Sequence, residues 1–205
     1  MCGIAGLAQR SDNQELTAAF TRAAEKHLFR RGPDGFSYRD YQAGCVRLLH
    51  ARLSIIDLEH GWQPLEIPGA SVVFNGEIYN YKDLRRAGET YATQSDTEVL
   101  LRGLQAEGVD FLRRCDGMFG VAVLDNAART LTLARDSFGI KQLYYYADKD
   151  RFAFASTMAP LMVLSNKEIN REALAEYYLT RACRAPNTVF SDIHELKAGE
   201  ALVFD

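Results

Sequence analysis

Apolar residues form two different patterns along the first thirty positions, a continuous run and then a helical repeat. Residues 3–9 are apolar and Gly-rich up to Gln9, and they predict a buried strand. After Ser11, apolar side chains return at helical spacing as far as Leu28. The pairing of Ser11 with Gln14 is a helix-start signature, so we predict a helix over residues 13–29.

Shorter patterns follow between residues 36 and 106. Short strand-like runs predict strands at 36–41, 45–50, 53–57 and 71–74. A short helix is predicted at 81–86. Ser95 and Glu98 form a second helix-start pair and predict a helix over residues 97–106.

The second half of the chain is dominated by paired short strands. Polar turns join 119–124 to 130–134 and 143–146 to 152–155, which predicts two antiparallel hairpins. Asn170 is suited to cap a helix that carries Leu174 and Tyr177, and residues 201–204 predict a last strand. Since hairpins outnumber strand–helix alternations, we expect antiparallel sheets with helices packed on them rather than a doubly wound parallel sheet.

Composition excludes several classes of function. The chain has 205 residues, 47% hydrophobic content and a net charge of -3, without a dense basic block, so neither nucleic acid nor a membrane surface is an expected partner. Its four cysteines are too widely spaced for a zinc site or a disulfide framework, and three of them are interpreted as small buried residues. The first residues lack the features of a signal peptide, and we expect a cytoplasmic location.

Cys2 is the first candidate for chemistry. Methionine is commonly removed before a small residue, and removal would place the Cys2 thiol and a free α-amine on one residue. An α-amine has an ordinary pKa of about 7.7–8.0, which suits a general base that activates its own side chain. On this feature alone, the alternative of a small residue at a strand start is favoured.

Asn75 and Gly76 follow an apolar strand. Asn-Gly is a turn signal, so a hairpin turn is one interpretation. The other is an oxyanion hole, in which the Asn75 amide and the Gly76 backbone N–H point at one oxygen. Gly76 would then matter because a side chain would block the approach of a substrate.

Two charged residues are further candidates. Arg52 lies beside an apolar strand, where a guanidinium usually meets a carboxylate, although a surface arginine is the alternative. Asp96 lies at a predicted helix start, where capping the helix and binding a ligand are equally plausible roles.

Together these residues fall within an ordered set of motifs. The chain resembles the glutaminase domain of class II glutamine amidotransferases, most closely that of glutamine-hydrolysing asparagine synthetases. The motifs span nearly the whole chain: residues 1–6 (MCGIAG), 31–35 (RGPDG), 52–57 (RLSIID), 63–65 (QPL), 75–80 (NGEIYN), 95–98 (SDTE), 116–119 (DGMF) and 138–141 (FGIK).

The resemblance implies a fold and a set of roles. The fold is the four-layer αββα N-terminal nucleophile hydrolase arrangement, with two stacked antiparallel sheets flanked by helices, over residues 1–205. Cys2 would attack the glutamine carboxamide and form a γ-glutamyl thioester, while Asn75 and Gly76 would hold the oxyanion. Arg52 would bind the α-carboxylate of glutamine, and Glu77 and Asp96 would bind its α-ammonium. Backbone carbonyls near Ile55 would add to the same pocket.

Departures from the family pattern concern docking and the acceptor. Arg30, Ser137 and Gln142 replace the family's histidine, arginine and proline, and none is expected in the pocket. The ATP-binding loop of the family's synthetase domain is absent, so this domain is expected to need no cofactor, and ATP and Mg would serve only that missing domain. Either the chain is a fragment or it is a separate glutaminase subunit.

The resemblance also implies partners, and it leaves rivals open. We expect glutamine as substrate, an ATP-dependent synthetase domain or subunit as partner, and a homodimer by analogy with the family. Aspartate is the default ammonia acceptor, and another acceptor is the alternative. A catalytically silent glutamine-sensing or assembly domain, and a relative that hydrolyses other amides or peptides, are the rival hypotheses.

Overall fold

A computed structural model describes residues 1–205. It contains eleven strands, three α-helices and three short 3₁₀ helices. The strands are β1 (Gly3–Gln9), β2 (Gly35–Tyr41), β3 (Val46–Arg52), β4 (Leu65–Ile67), β5 (Ala70–Ile78), β6 (Gly117–Asp125), β7 (Thr130–Arg135), β8 (Tyr144–Ala147), β9 (Arg151–Ala155), β10 (Ile193–Glu195) and β11 (Ala201–Phe204). The helices are α1 (Gln14–Leu28), α2 (Asp96–Glu107) and α3 (Arg171–Thr180).

The strands form two antiparallel sheets. The first has the order β10-β8-β9-β1-β3-β2 and the second the order β11-β7-β6-β5-β4. Strand β1 lies inside the first sheet, and its pairing with β3 places Gly3 opposite Ala51. One step further along this ladder, Cys2 comes to the end of β3 at Arg52. The strand register therefore determines where the N-terminus lies.

Three apolar clusters separate four layers. Alternate residues of β1 point to opposite faces, so Ile4 belongs to the cluster between the sheets and Ala5 to the cluster under α1. The third cluster joins the outer face of β5 to α2, with Phe74 and Leu100 among its buried members. This four-layer αββα arrangement of two stacked antiparallel sheets flanked by helices is the one that the resemblance implied.

Side-chain caps begin all three helices. Asn13 caps α1 by accepting the Leu16 N–H, and Asn170 caps α3 by accepting the Ala173 N–H. Ser95 caps α2 by accepting the Thr97 N–H at 3.0 Å. The predicted helix starts are therefore confirmed to within a few residues. No helix in the chain combines the length and apolar character that crossing a membrane requires.

Two predicted elements are wrong. Residues 53–57 form no strand but leave the sheet as a loop, and residues 81–86 form turns rather than a helix. The loop is favoured because Asp57 has a positive φ of 49° and its carboxylate accepts the N–H of His60 and of Gln94. The predicted strand at 71–74 is part of the longer β5, and both predicted hairpins are confirmed.

Candidate active site

One cavity brings together every residue that the sequence singled out. It lies where β1 and β3 of the first sheet approach the end of β5 in the second. The predicted residues that line it are Cys2, Arg52, Ile55, Asn75, Gly76, Glu77 and Asp96. None of Arg30, Ser137 and Gln142 lines it, in agreement with the expectation for those departures.

Cys2 is held at its sulfur and at its carbonyl oxygen. The Leu53 N–H donates to Sγ at 3.4 Å, and the thiol reaches the Leu53 carbonyl oxygen at 3.5 Å. Arg31 Nε donates to the Cys2 carbonyl oxygen at 3.1 Å. With the Asn75 amide oriented to satisfy both of its polar atoms, Nδ2 donates to the same oxygen at 2.9 Å and Oδ1 accepts from Arg31 at 3.2 Å. The thiol thus has a defined position on the cavity wall.

Asn75 and Gly76 lie inside a strand and not in a hairpin turn. Both belong to β5, where Asn75 pairs with Gly120 and Gly76 with Phe119 of β6. The interpretation of Asn-Gly as a turn is therefore wrong. Strand β4 accompanies β5 only as far as Val72, so the edge of β5 beyond that point is open towards the cavity.

The Gly76 N–H points to this open edge. N–H groups of alternate residues in a strand point to the same side. The Phe74 N–H donates to Gln63 Oε1 at 2.6 Å and the Ile78 N–H to Asp96 Oδ2 at 3.0 Å, both away from β6. Gly76 lies between them, opposite Phe119. The Phe119 N–H donates to the Asp136 carboxylate and its carbonyl oxygen accepts the Asp136 N–H, so neither group bonds to Gly76. A backbone donor is therefore left directed at the cavity.

The structural reason for glycine at position 76 differs from the one expected. A Cβ at Gly76 would lie 2.1 Å from the Met118 carbonyl oxygen and 2.8 Å from the Phe119 Cα. The neighbouring strand β6 therefore excludes a side chain here. This contact requires glycine whatever binds in the cavity, and the expectation that a side chain here would block the approach of a substrate stays a prediction.

Arg52 is a buried cation without a carboxylate partner. It is 4% exposed, and no carboxylate oxygen of the chain lies within 4.0 Å of it. Nη2 donates to the carbonyl oxygens of Asp57 at 2.8 Å and of Leu58 at 3.0 Å. The guanidinium carbon also lies 4.7 Å from the centre of the Trp62 ring. The alternative of a surface arginine is wrong, because Arg52 is buried and lines the cavity.

Asp96 does not cap α2, because Ser95 does. Instead it is 4% exposed and joins the start of α2 to the end of β5 through Ile78. Burial and the nearby charge of Glu77 raise the pKa of Asp96, against the lowering effect of the Ile78 and Thr97 N–H groups. A cation in the cavity would relieve the repulsion between the two carboxylates. Ile55 completes this side of the cavity on the loop after Arg52, and the residue is 66% exposed.

Five polar residues that line the cavity were missed as site residues: His50, Gln63, Ser95, Thr97 and Lys141. Gln63 orders the β5 edge, and Lys141 lines the cavity near Cys2. His50 is 1% exposed, and neither ring nitrogen has a hydrogen-bond partner. Burial, and then the Arg52 charge, lower the pKa of His50 to about 3. Its position two residues before Arg52, on the same face of β3, was the signal available in the sequence.

The other three thiols lie outside the cavity. Cys45, Cys115 and Cys183 are free and half-buried rather than fully buried. Burial raises the pKa of Cys115 to about 12 and also raises that of Cys183, which makes both poor nucleophiles. No group of three or more His, Cys, Asp or Glu side chains in the chain is arranged to hold a metal ion.

Known proteins are similar to this chain in sequence and in fold. A family model described as a glutamine amidotransferase domain matches residues 1–205. Asparagine synthetase [glutamine-hydrolyzing] 1 of Bacillus subtilis is 37% identical over 97% of this chain, which covers 33% of that protein. Putative asparagine synthetase [glutamine-hydrolyzing] 2 of Methanocaldococcus jannaschii is 30% identical over 100% of this chain and 44% of its own length. The chain thus spans about a third to under half of these curated relatives.

Solved structures agree in fold at low identity. The allosteric regulatory enzyme of purine biosynthesis superposes with a TM-score of 0.71, at 17% identity, over 98% of this chain and 46% of that one. Glutamine phosphoribosylpyrophosphate amidotransferase from B. subtilis gives a TM-score of 0.65, at 18% identity, over 80% of this chain and 43% of that one. These likenesses support the fold assignment made from the layers and sheets.

Proposed function

The chain belongs to the glutamine amidotransferase domain family, and on that premise we propose that it hydrolyses glutamine to glutamate and ammonia with Cys2 as nucleophile. One observation carries the proposal. A thiol, a free backbone N–H at Gly76 and the unpaired guanidinium of Arg52 share one small cavity. These are the groups that attack on a carboxamide and recognition of an amino acid require.

The amino-acid head group is bound first. Arg52 takes the α-carboxylate, since no carboxylate of the chain pairs with it and only Nη2 is used in hydrogen bonds, which leaves Nε and Nη1 to donate. Asp96 and Glu77 take the α-ammonium, whose charge offsets the repulsion that raises the pKa of Asp96. Backbone carbonyls around Ile55 complete the head-group site. The side-chain carboxamide of glutamine then extends towards Cys2.

The chemistry follows at the processed terminus. After removal of Met1, the Cys2 α-amine takes the thiol proton and Sγ attacks the carboxamide carbon. The Gly76 N–H and the second N–H of the Asn75 amide stabilise the oxyanion. The amine returns its proton to the leaving nitrogen, so ammonia departs and a γ-glutamyl thioester remains. Water then cleaves the thioester to glutamate and frees the thiol.

The ammonia is proposed to serve a synthetase. Support comes from the relatives, which are two to three times longer than this chain and are named glutamine-hydrolysing asparagine synthetases. An ATP-dependent synthetase segment or subunit that converts aspartate to asparagine is therefore the proposed partner. ATP and Mg would act there, outside residues 1–205. A different acceptor is the alternative, and acceptor-dependent ATP hydrolysis by the assembled enzyme distinguishes the two.

Replacing the nucleophile tests the proposal. Cys2→Ala should abolish glutamate release from glutamine, whereas Cys183→Ala, outside the cavity, should leave it unchanged. Full activity of Cys2→Ala would exclude the mechanism.

A second measurement separates the rival hypotheses. Diazo-oxo-norleucine should alkylate the Cys2 thiol with loss of N₂, so the peptide that begins at Cys2 should gain the mass of the reagent less N₂. A catalytically silent domain should not form this adduct. Release of ammonia from simple amides at the rate seen with glutamine would favour the general amide hydrolase instead.

A further inference from the structure

The turn at residues 136–141 contains the motif FGIK (residues 138–141), to which the proposed function assigns no role. It is built around the buried Asp136 carboxylate, which is 1% exposed. Its Oδ1 accepts the N–H of Phe138 at 3.1 Å and of Ile140 at 2.9 Å, and its Oδ2 accepts those of Phe119 and Lys141. Four N–H donors on one carboxylate hold the turn in a single conformation. The turn thereby presents Lys141 to the cavity.

Lys141 is a buried ammonium without a carboxylate partner. The residue is 3% exposed, and no carboxylate oxygen lies within 4.0 Å of Nζ. The one hydrogen-bond partner of Nζ is Met1 Sδ, at 2.9 Å. A buried lysine is normally paired with an acid, because an uncompensated buried charge is costly. The only hydrogen-bond partner of Lys141 Nζ is thus an atom of Met1, and Met1 must be removed before Cys2 can act as proposed.

The charges that face this region come from five elements. Arg31 follows α1, Arg52 ends β3, and the acids are Glu77 on β5, Asp96 on α2 and Asp136 after β7; His50 on β3 is uncharged at neutral pH. Burial and Arg31 lower the pKa of Lys141, whereas Asp136, Cys2 and Glu77 raise it.

We propose that Lys141 is a positioning residue for the Cys2 nucleophile, acting through its charge once Met1 has been removed. Loss of Met1 leaves Nζ without its sulfur partner, on the wall that it shares with the new terminus. A cation at this place disfavours the α-ammonium, so the Cys2 amine is free to accept a proton. The same cation favours the thiolate that forms.

The inference rests on the proposed function of Cys2, and the charge of Lys141 can be varied separately. In Lys141→Met a chain of similar size loses the charge, and in Lys141→Arg the charge is retained. Lys26→Met removes an exposed lysine from α1 and serves as the matched control. All variants are used with Met1 removed, as verified by intact mass.

Glutamine turnover against pH is the first measurement. In Lys141→Met, kcat/KM at neutral pH should fall about tenfold, and the midpoint of its acidic limb should rise by about one pH unit. Lys141→Arg and Lys26→Met should keep the wild-type midpoint. An unchanged midpoint in a folded Lys141→Met protein overturns the inference, because a residue that only packs would not move it.

Alkylation separates the failure of this inference from failure of the proposed function. The rate at which iodoacetamide modifies Cys2, followed on its own peptide, should shift to higher pH in Lys141→Met even if glutamine is not the substrate. Absence of glutaminase activity in the wild-type protein would contradict the proposed function but not the inference about Lys141. If Lys141→Met does not fold, the wild-type protein still gives an answer: alkylation of Cys2 should lower the NMR titration midpoint of Lys141 Nζ, and no change overturns the inference.

Discussion

The backbone N–H of Leu53 donates to the sulfur of Cys2 at 3.4 Å, across 51 residues of sequence. The contact exists because β1 and β3 pair with Gly3 opposite Ala51, so the residues just beyond this pair meet at the end of the ladder. The thiol in turn reaches the Leu53 carbonyl oxygen at 3.5 Å, so Leu53 fixes the position of the sulfur from two sides. After Arg52 the chain leaves the sheet. The loop that begins at Leu53 therefore both donates this N–H and contacts the Arg52 guanidinium.

Loss of the Arg52 guanidinium should weaken the binding of glutamine. In Arg52→Ala, KM should rise at least about tenfold and kcat should change much less, because a charged hydrogen-bonding anchor is lost far from the reacting carbon. Initial rates over a range of glutamine concentrations give both constants. Arg39→Ala, at an exposed pair with Glu66, is the control. A KM within about twofold of wild type would contradict the assignment.

A methyl group at Gly76 should disrupt the strand pairing. Gly76→Ala should lower stability by about 1–3 kcal/mol or more and abolish glutamate release, since its Cβ would lie 2.1 Å from the Met118 carbonyl oxygen. Gly120→Ala on the adjacent strand is the matched control, because its Cβ would meet only ordinary contacts at 3.8 Å. Denaturant unfolding and activity are measured on both. Equal behaviour of the two variants would refute the prediction.

Burial of His50 should make folding depend on pH. The pKa of His50 falls from 6.5 to about 3 on folding, so below 6.5 the unfolded chain binds a proton that the folded chain does not. Stability should therefore decline as pH falls, by roughly 2 kcal/mol between pH 7.5 and pH 5. Urea unfolding across this range measures the slope. His50→Leu should flatten it whatever its stability at neutral pH, whereas substitution of the exposed His27 should not.

The Asp136 carboxylate should be needed to hold the turn that carries Lys141. Asp136→Asn turns one acceptor oxygen into an NH₂ group that faces two backbone donors, and should cost about 1–3 kcal/mol of stability. Asp110→Asn, at an exposed pair with Arg113, should change stability by less than about 0.5 kcal/mol. Thermal or urea unfolding compares them. Stability equal to wild type in Asp136→Asn would show that the turn does not depend on this carboxylate.

Retention of Met1 should abolish glutaminase activity. With Met1 in place the Cys2 nitrogen is an amide and cannot accept a proton. The Met1 sulfur also accepts a hydrogen bond from Lys141 Nζ. Protein with an uncleaved N-terminal extension should release no glutamate, and proteolytic exposure of Cys2 should restore release. Intact mass defines the terminus of each sample. Activity that is independent of the state of the terminus would contradict the role of the amine.

Local sequence determined the elements that rest on local interactions. Ser95 and Asn170 mark helix starts because a side-chain cap depends on neighbours two or three residues away, whereas α1 is capped by Asn13 and not by the predicted Ser11. The hairpins of β6 with β7 and of β8 with β9 follow from alternating residues and short polar turns. The ordered motifs, each weak alone, located all seven predicted residues of the cavity without any knowledge of distances.

Only the tertiary structure decided what those residues contact. Residues 53–57 have the composition of a strand, but Asp57 binds the N–H of Gln94 in a distant loop, and this long-range contact overrides strand propensity. The open edge of β5 that frees the Gly76 N–H depends on where β4 ends. The unpaired states of Arg52 and Lys141 likewise depend on charges from several elements. Local patterns carry no record of such contacts, because they form only when segments far apart in the chain are packed together.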